Sequence, residues 1–281
     1  MNSEAVIRFG FFFGIFVLMW FWELVAPRLR LTVSKWGRWG NNLGIIALDT
    51  LMVRLLMPAA AIKMATVSCE SNWGLLHAIN VPSWAAVVIA VLFLDMVIYM
   101  QHLMFHAVPL LWRLHMVHHA DLDIDVTTGL RFHPIEILLS MGIKIAAVAV
   151  IGPPVVAVLI FEVILNGTAM FNHGNVRMPR ALDWVLRLLV VTPDMHRVHH
   201  SVTIRETNSN FGFNFPWWDR IFGTYRAQPM AGHDGMVIGL AQFRDKKLVT
   251  FLRLLALPST GYSGSYAINK SGRKPVRRSN L

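Results

Sequence analysis

The chain has 281 residues, of which 55% are of the types A, V, I, L, M, F, W, Y or C and only 15% are charged. This composition is typical of an integral membrane protein. The formal net charge of +10 does not indicate a nucleic-acid partner, because the basic residues lie between and beyond apolar segments. The single cysteine, Cys69, excludes a site built from several thiolates, so any metal must bind nitrogen or oxygen.

Apolar runs of spanning length are predicted first, at residues 9–26, 43–62 and 84–106. The first run lacks a small-residue cleavage site and is interpreted as a retained anchor. Two shorter apolar helices follow at residues 135–151 and 154–172. The sequence "GPP" between them is expected to make a helical hairpin whose ends lie on one side, so that four spans are predicted in all.

The distribution of basic residues predicts the orientation of these spans. The loop after the first run contains Arg28, Arg30, Lys35 and Arg38, whereas residues 66–83 contain neither Lys nor Arg. The first loop is therefore expected to be cytoplasmic. The end of the third run and the basic C-terminus then share that compartment, which is the inner face of the inner membrane if the source is bacterial.

Three histidine clusters lie in this compartment. On an α-helix, positions i, i+3 and i+4 share a face, so each HxxHH sequence is expected to present its three imidazoles to one point. Thr192 and Pro193 predict the start of the helix that carries the last cluster. The eight residues are His102 and His106, then His115, His118 and His119, then His196, His199 and His200.

A metal site explains these clusters better than structural hydrogen bonding does. A single membrane histidine is most often a hydrogen-bonding residue between helices. Burying eight imidazoles without a compensating ion would cost several kcal/mol. Nitrogen ligands suit Fe, Zn, Cu or Ni, and more than six histidines exceed what one ion can hold. The sequence therefore predicts two metal ions.

A carboxylate lies on the same predicted helix face as the first cluster. Asp95 precedes His102 and His106 by seven and eleven residues. An acidic residue inside a span is a functional candidate, and Asp95 is predicted to accept a ring N–H from a metal-binding histidine. The alternative is a hydrogen bond that joins two spans.

Taken together, the HxxxH and two HxxHH motifs resemble the fatty acid hydroxylase and sterol desaturase superfamily. The sequences "RFHPIE", "NHGNVRMP" and "NSNFGFNFPWWDRIFGTY" agree with this resemblance, which covers about residues 88–226. The resemblance implies a non-haem di-iron site, with Zn as a possible substitute, that uses O₂ to hydroxylate or desaturate a sterol-like, fatty acyl or related lipid.

The resemblance also implies further site residues. His173 is expected to be a ninth ligand. His133 either binds metal or caps a helix while Glu136 supports the site, and Asn208 either hydrogen-bonds a ligand histidine or closes a loop. His77 and His233 lie outside the motifs. The aromatic residues after the last cluster either line a lipid entrance or, as we favour, lie at the membrane interface; they are Phe211, Phe213, Phe215, Trp217 and Trp218.

Electrons are expected from a separate carrier, such as a ferredoxin, a cytochrome b5-like protein or a reductase. The chain has no dinucleotide fingerprint, CxxC pair or CxxCH haem motif, and its basic face would attract an acidic carrier. Two other classes compete with the oxygenase. A membrane di-zinc hydrolase would want carboxylates among its ligands, and a metal transporter would place them at the bilayer midplane.

The predicted fold is an all-α polytopic membrane bundle with a cytoplasmic, histidine-rich helical cap that holds a dinuclear metal site. Its predicted divisions are N-terminal anchor spans at residues 1–83, a catalytic domain at 84–228 and a basic cytoplasmic tail at 229–281.

Overall fold

The computed structural model describes residues 3–57, 60–79, 81–260 and 265–269. Helices dominate these residues, and their β structure consists of two isolated bridges, Pro27–Val176 and Ser201–Ile238. The all-α prediction is confirmed. The first six helices are α1 (Ser3–Val25), α2 (Lys35–Leu56), α3 (Ala60–Glu70), α4 (Leu75–Ala78), α5 (Ser83–Ala107) and α6 (Pro109–His119).

The second part of the chain contains one long hairpin followed by short helices. The hairpin consists of α7 (Pro134–Ile151) and α8 (Val155–Asn172). The short helices are α9 (Arg180–Leu186), α10 (Pro193–His199), α11 (Ile204–Thr207), α12 (Trp217–Ile221), α13 (Gly232–Gly235) and α14 (Phe251–Ala256).

By length and composition, five segments in the described part of the chain could cross a membrane, one more than the sequence predicts. Each arm of the hairpin has 18 residues, or about 27 Å of helix, close to the thickness of a hydrocarbon core. The hairpin therefore provides two candidates. The five are Glu4–Val25, Lys35–Ala78, Ser83–Ala107, Pro134–Ile151 and Val155–Asn172.

A buried ion pair joins the two arms of the hairpin. Lys144 of α7 donates to Glu162 of α8 at 2.8 Å, and Arg8 of α1 donates to the same carboxylate. Charged side chains inside a bilayer are tolerated when they pair. This contact holds α1 beside α8.

The turn of the hairpin closes the end of the bundle that lies away from the histidines. Gly152 has φ +61°, and a Cβ atom on Gly74 would lie 2.4 Å from the Gly152 Cα. Glycine is therefore required at both positions.

The opposite end of the bundle gathers the histidine segments. Pro109 is the first residue of α6, which follows α5 after the single residue Val108. The bridge between Pro27 and Val176 brings the end of α1 beside the end of α8. The segment predicted as a basic tail contributes side chains to a hydrophobic core that also contains Trp112 and Met116 of α6. These side chains include Leu240, Phe243, Leu254, Leu257 and Tyr266.

Candidate metal centre

Nine buried histidines form two neighbouring groups at this end of the bundle. In each group, one ring nitrogen of every histidine lies within 4.8 Å of the others. His119 of the first group stacks on His200 of the second, with ring centroids 4.6 Å apart. The first group contains His102, His106, His115, His119 and His199, and the second contains His118, His173, His196 and His200.

The grouping corrects the expectation that each HxxHH sequence points to one place. In the second cluster, His115 and His119 join the first group, whereas His118 joins the second. In the third cluster the division is reversed: His196 and His200 join the second group, and His199 joins the first. In both sequences the i and i+4 rings stay together while the i+3 ring turns to the neighbouring group, so each helix contributes to both.

Oxygen acceptors hold the Nδ1 atoms of six of these histidines. His102 donates from Nδ1 to the Phe211 carbonyl at 2.8 Å, and His199 donates to the Ser209 carbonyl at 2.8 Å. The other four acceptors are the Asn208 side chain for His106, Glu136 for His115, the Arg131 carbonyl for His118 and the Ala169 carbonyl for His173. A neutral imidazole that donates from Nδ1 has its lone pair on Nε2, so these contacts set six Nε2 atoms as ligands.

The second group contains a direct indication of a cation. The Nε2 atoms of His118 and His173 lie 3.1 Å apart, although both rings donate from Nδ1. Two lone pairs then face each other without a proton between them. In the first group, Nε2 of His102, His115 and His199 is buried without a hydrogen-bond partner among the described residues. A metal ion in each group would remove both defects, so the residues fit two ions.

Burial keeps the imidazoles neutral, which is the form that binds metal. Removal from water lowers the pKa of His115 to about 3. It also lowers the pKa values of His118, His119 and His199 well below 6.5, with further lowering by neighbouring histidines.

Comparison with known proteins places this centre in a family. The family model described as fatty acid hydroxylase matches residues 87–224, which contain all nine grouped histidines. Residues 87–224 belong to the fatty acid hydroxylase family. No solved structure matches the chain.

Several curated proteins are similar to part of the chain. An ornithine lipid hydroxylase of Rhizobium tropici is 31% identical over 51% of this chain and 42% of its own length. The human alkylglycerol monooxygenase is 28% identical, over 64% of this chain and 39% of its own. A methylsterol monooxygenase of Arabidopsis thaliana is 28% identical, over 54% and 58%. The chain thus spans less than two thirds of the length of each.

Two of the three residues predicted to support the metal site contact its histidines. Glu136 accepts from His115 Nδ1 at 2.6 Å. Asn208 lies 3.1 Å from His106 Nδ1, and its amide nitrogen donates to the Tyr266 carbonyl at 2.8 Å. The second contact turns the Asn208 oxygen toward His106, so the orientation of this amide follows from its neighbours.

The expectation for Asp95 is wrong. Its carboxylate accepts from the indole of Trp218 at 2.8 Å and from the backbone of Asn214 and Phe215 at 3.3 Å. Among the described residues Asp95 makes no hydrogen bond to a histidine, and the Nδ1 atom of His102 donates instead to the Phe211 carbonyl. Asp95 therefore fixes the loop that follows the third cluster, and acts on the histidines only through that loop.

His133 is not placed with the ligands. Its Nδ1 accepts from the Ile135 backbone at the start of α7, and its Nε2 lies 3.1 Å from the Leu255 carbonyl. Both ring nitrogens are thus occupied, which corrects the ligand hypothesis in favour of the helix cap. His77 and His233 also lie outside the two groups.

Aromatic side chains enclose the two histidine groups, and some of the residues expected at the membrane interface are among them. Phe132 stacks on His118 with centroids 4.4 Å apart and an interplanar angle of 8°. Phe213 contacts His102 of one group and His173 of the other. Phe211 and Phe213 are buried, so they exclude water from the histidines.

Sequence reasoning missed a buried ionic network next to the histidine centre. Arg38 of α2 donates to both oxygens of Asp121 at 2.7 Å and to Asp125 at 2.7 Å. Arg131 lies 3.4 Å from Asp121, donates to the Val117 carbonyl and offers its own carbonyl to His118. The signal was present in "DLDIDV" directly after the second cluster, since three acidic residues in so apolar a chain require partners.

Proposed function

We propose that the chain is a membrane-bound, O₂-dependent lipid monooxygenase with two iron ions. The supporting observation is the division of nine buried histidines into two neighbouring groups whose Nε2 lone pairs meet. The names of the relatives, which include lipid hydroxylases and monooxygenases, support the reaction class. Hydroxylation is proposed in preference to desaturation because these names describe hydroxylases and monooxygenases.

The two histidine groups would each hold one ion. Bound iron would supply the redox chemistry that activates O₂ toward an unactivated C–H bond, which histidine cannot do itself. Histidine is a common ligand of such metals, and the acceptors at Nδ1 orient the rings and raise their basicity. In this proposal Glu136 and Asn208 act as positioning residues, through His115 and His106 respectively.

The surrounding protein would keep the reaction away from water. Phe132, Phe211 and Phe213 cover the rings, so an alkyl chain of the substrate would meet apolar side chains at the centre. The substrate is proposed to be a membrane lipid, and the electrons to come from a separate protein at the basic cytoplasmic surface.

Metal analysis and lipid mass spectrometry test this function together. We expect about two iron ions per purified chain, and a lipid product that carries one oxygen atom from isotopically labelled O₂ in cells that express the gene. The same product should be missing under nitrogen and from cells that express the His199→Ala variant. A protein that contains zinc and releases a lipid fragment without O₂ would instead be a hydrolase.

A further inference from the structure

The short helices α9 and α12 carry an apolar surface that faces away from the protein. We propose that this surface is embedded in the lipid bilayer beside α5. It is called the α9–α12 surface below, and consists of Leu182, Trp184, Val185, Leu189, Ile221 and Phe222, all of which are exposed. The proposal does not depend on the reaction that the metal centre performs.

The polarity of α9 is the reverse of that of a helix at a water-exposed surface. Arg187 and Asp183 form an ion pair at 2.7 Å, and their side chains are only 5% and 13% exposed. Trp184 and Leu189, by contrast, are 68% and 62% exposed. A helix in water turns its charges outward and its apolar residues toward the core. The observed arrangement is favourable in lipid, because the outward-facing apolar side chains then contact hydrocarbon instead of water.

The position of α12 along α5 gives the depth of this surface. Trp218 of α12 donates to Asp95, which is the thirteenth of the 25 residues of α5. Phe222 stacks on Tyr99, one turn further along, with centroids 5.4 Å apart. Asp95 lies eleven residues before His106, or about 16 Å along the helix. Since α5 is a candidate span, α12 lies beside its middle and continues its lipid-facing side.

Two hydrogen bonds place α9 at the same level. The indole of Trp217 donates to the Leu188 carbonyl at 2.6 Å, and Arg220 donates to the Arg187 carbonyl at 2.9 Å. Arg180 and Arg220 are exposed on the same two helices, and their long side chains can carry the guanidinium groups from the apolar surface toward lipid phosphates. Apolar side chains with cationic residues on the same helices fit a bilayer better than they fit a soluble partner.

Site-directed fluorescence in vesicles tests the proposal. In the Cys69→Ser background, single cysteines would be introduced by Trp184→Cys and Ile221→Cys and labelled with an environment-sensitive dye. Phe13→Cys on α1 gives a reference inside the bilayer, and Lys246→Cys gives a reference in water, since both positions are exposed on the protein. The labelled proteins would be reconstituted in phosphatidylcholine and phosphatidylglycerol vesicles with and without lipids that carry a quenching spin label.

We expect the dye at positions 184 and 221 to show blue-shifted emission and quenching by spin-labelled lipid at a level near that of position 13. Quenching no greater than at position 246 would overturn the proposal. A blue-shifted dye that spin-labelled lipid does not quench would also overturn it, because a second protein chain would then cover the surface. Unchanged metal content in each variant provides the control for folding.

Discussion

At the level of single residues, the hydrogen bonds to Nδ1 determine which nitrogen each histidine offers to a metal. Spacing in the sequence identified eight of these residues, and the family resemblance added His173. Neither revealed how the rings are divided, because the division depends on how α6 and α10 approach each other. The partner of Asp95 was equally hidden, since Trp218 lies 123 residues further along the chain.

Replacing one proposed metal ligand and one helix-capping histidine distinguishes the two roles. His118→Ala removes one of the four histidines of the second group and should reduce bound metal to about half or less, as measured by elemental analysis of purified protein. His133→Ala is the matched control and should retain the metal, although loss of the cap should cost about 0.5–2 kcal/mol of stability. Equal loss of metal in both variants would contradict the assignment of His133 as a cap.

Asp95→Asn should leave the metal bound and destabilise the loop after the third cluster. An amide provides one oxygen acceptor where the carboxylate provides two, and hydrogen bonds to a charged group contribute about 1.5–3 kcal/mol each. The thermal midpoint in detergent should therefore fall while the metal content stays constant. Trp218→Phe removes only the indole donor and should produce a smaller decrease. Loss of metal without any decrease in midpoint would mean that Asp95 acts directly on the centre.

The lowered pKa values of the buried histidines predict how metal binding depends on pH. With pKa values far below 6.5, the empty site is already neutral at pH 6, so no proton has to leave when metal enters. Titration of metal-free protein with Co²⁺ should give similar affinities at pH 8 and pH 6 and release almost no protons into an indicator dye. Release of several protons at pH 6 would show that the empty site is protonated.

At the level of helices, the N-terminal segment does more than anchor the chain. Arg38 of α2 lies outside the matched family domain, yet it pairs with Asp121 and Asp125 directly after the second cluster. The sequence predicted most of α2 as part of a span, because an apolar run can be identified from neighbouring residues alone. Its ionic partners could not be predicted, because they lie more than 80 residues away.

Arg38→Met should therefore destabilise the fatty acid hydroxylase domain. The variant leaves two buried carboxylates without their main cationic partner, a change that typically costs about 3–5 kcal/mol. We expect a large decrease in folded protein, measured as the monodisperse fraction after extraction from the membrane. The double variant Arg38→Met with Asp121→Asn should recover part of the loss because one unpaired charge is removed. An unchanged yield in Arg38→Met would indicate that water or another cation replaces the guanidinium.

At the level of the whole molecule, the bundle has one end with histidines and one end closed by glycines. Hydropathy predicted the long helices and the hairpin well, since spanning segments need only be long and apolar. It underestimated the hairpin, whose arms are each of spanning length, and residues 240–257 and 266–267 were assigned to part of a tail. Those residues contribute single side chains to a core shared with α6, and such packing leaves no periodic signal in a short sequence.

The sidedness that the positive charges of the first loop predict can be measured directly. A reporter that is active only in the cytoplasm should give signal when fused after Leu281 and no signal when inserted near Asn72. This expectation rests on the basic residues at 27–40 and their lack between 66 and 83. The opposite pattern would place the histidine end away from cellular reductants and would contradict the proposed electron supply.

The contribution of the third cluster to both histidine groups sets an order of assembly during synthesis. Every candidate span ends by Asn172, whereas the first group is completed by His199 and the second by His200. A metal ion in the first group would join residues 102 and 199, and so close a loop of 97 residues in the manner of a covalent cross-link. Neither group can be complete until all five candidate spans have been synthesised, so a fully loaded centre requires a chain that extends past the last span.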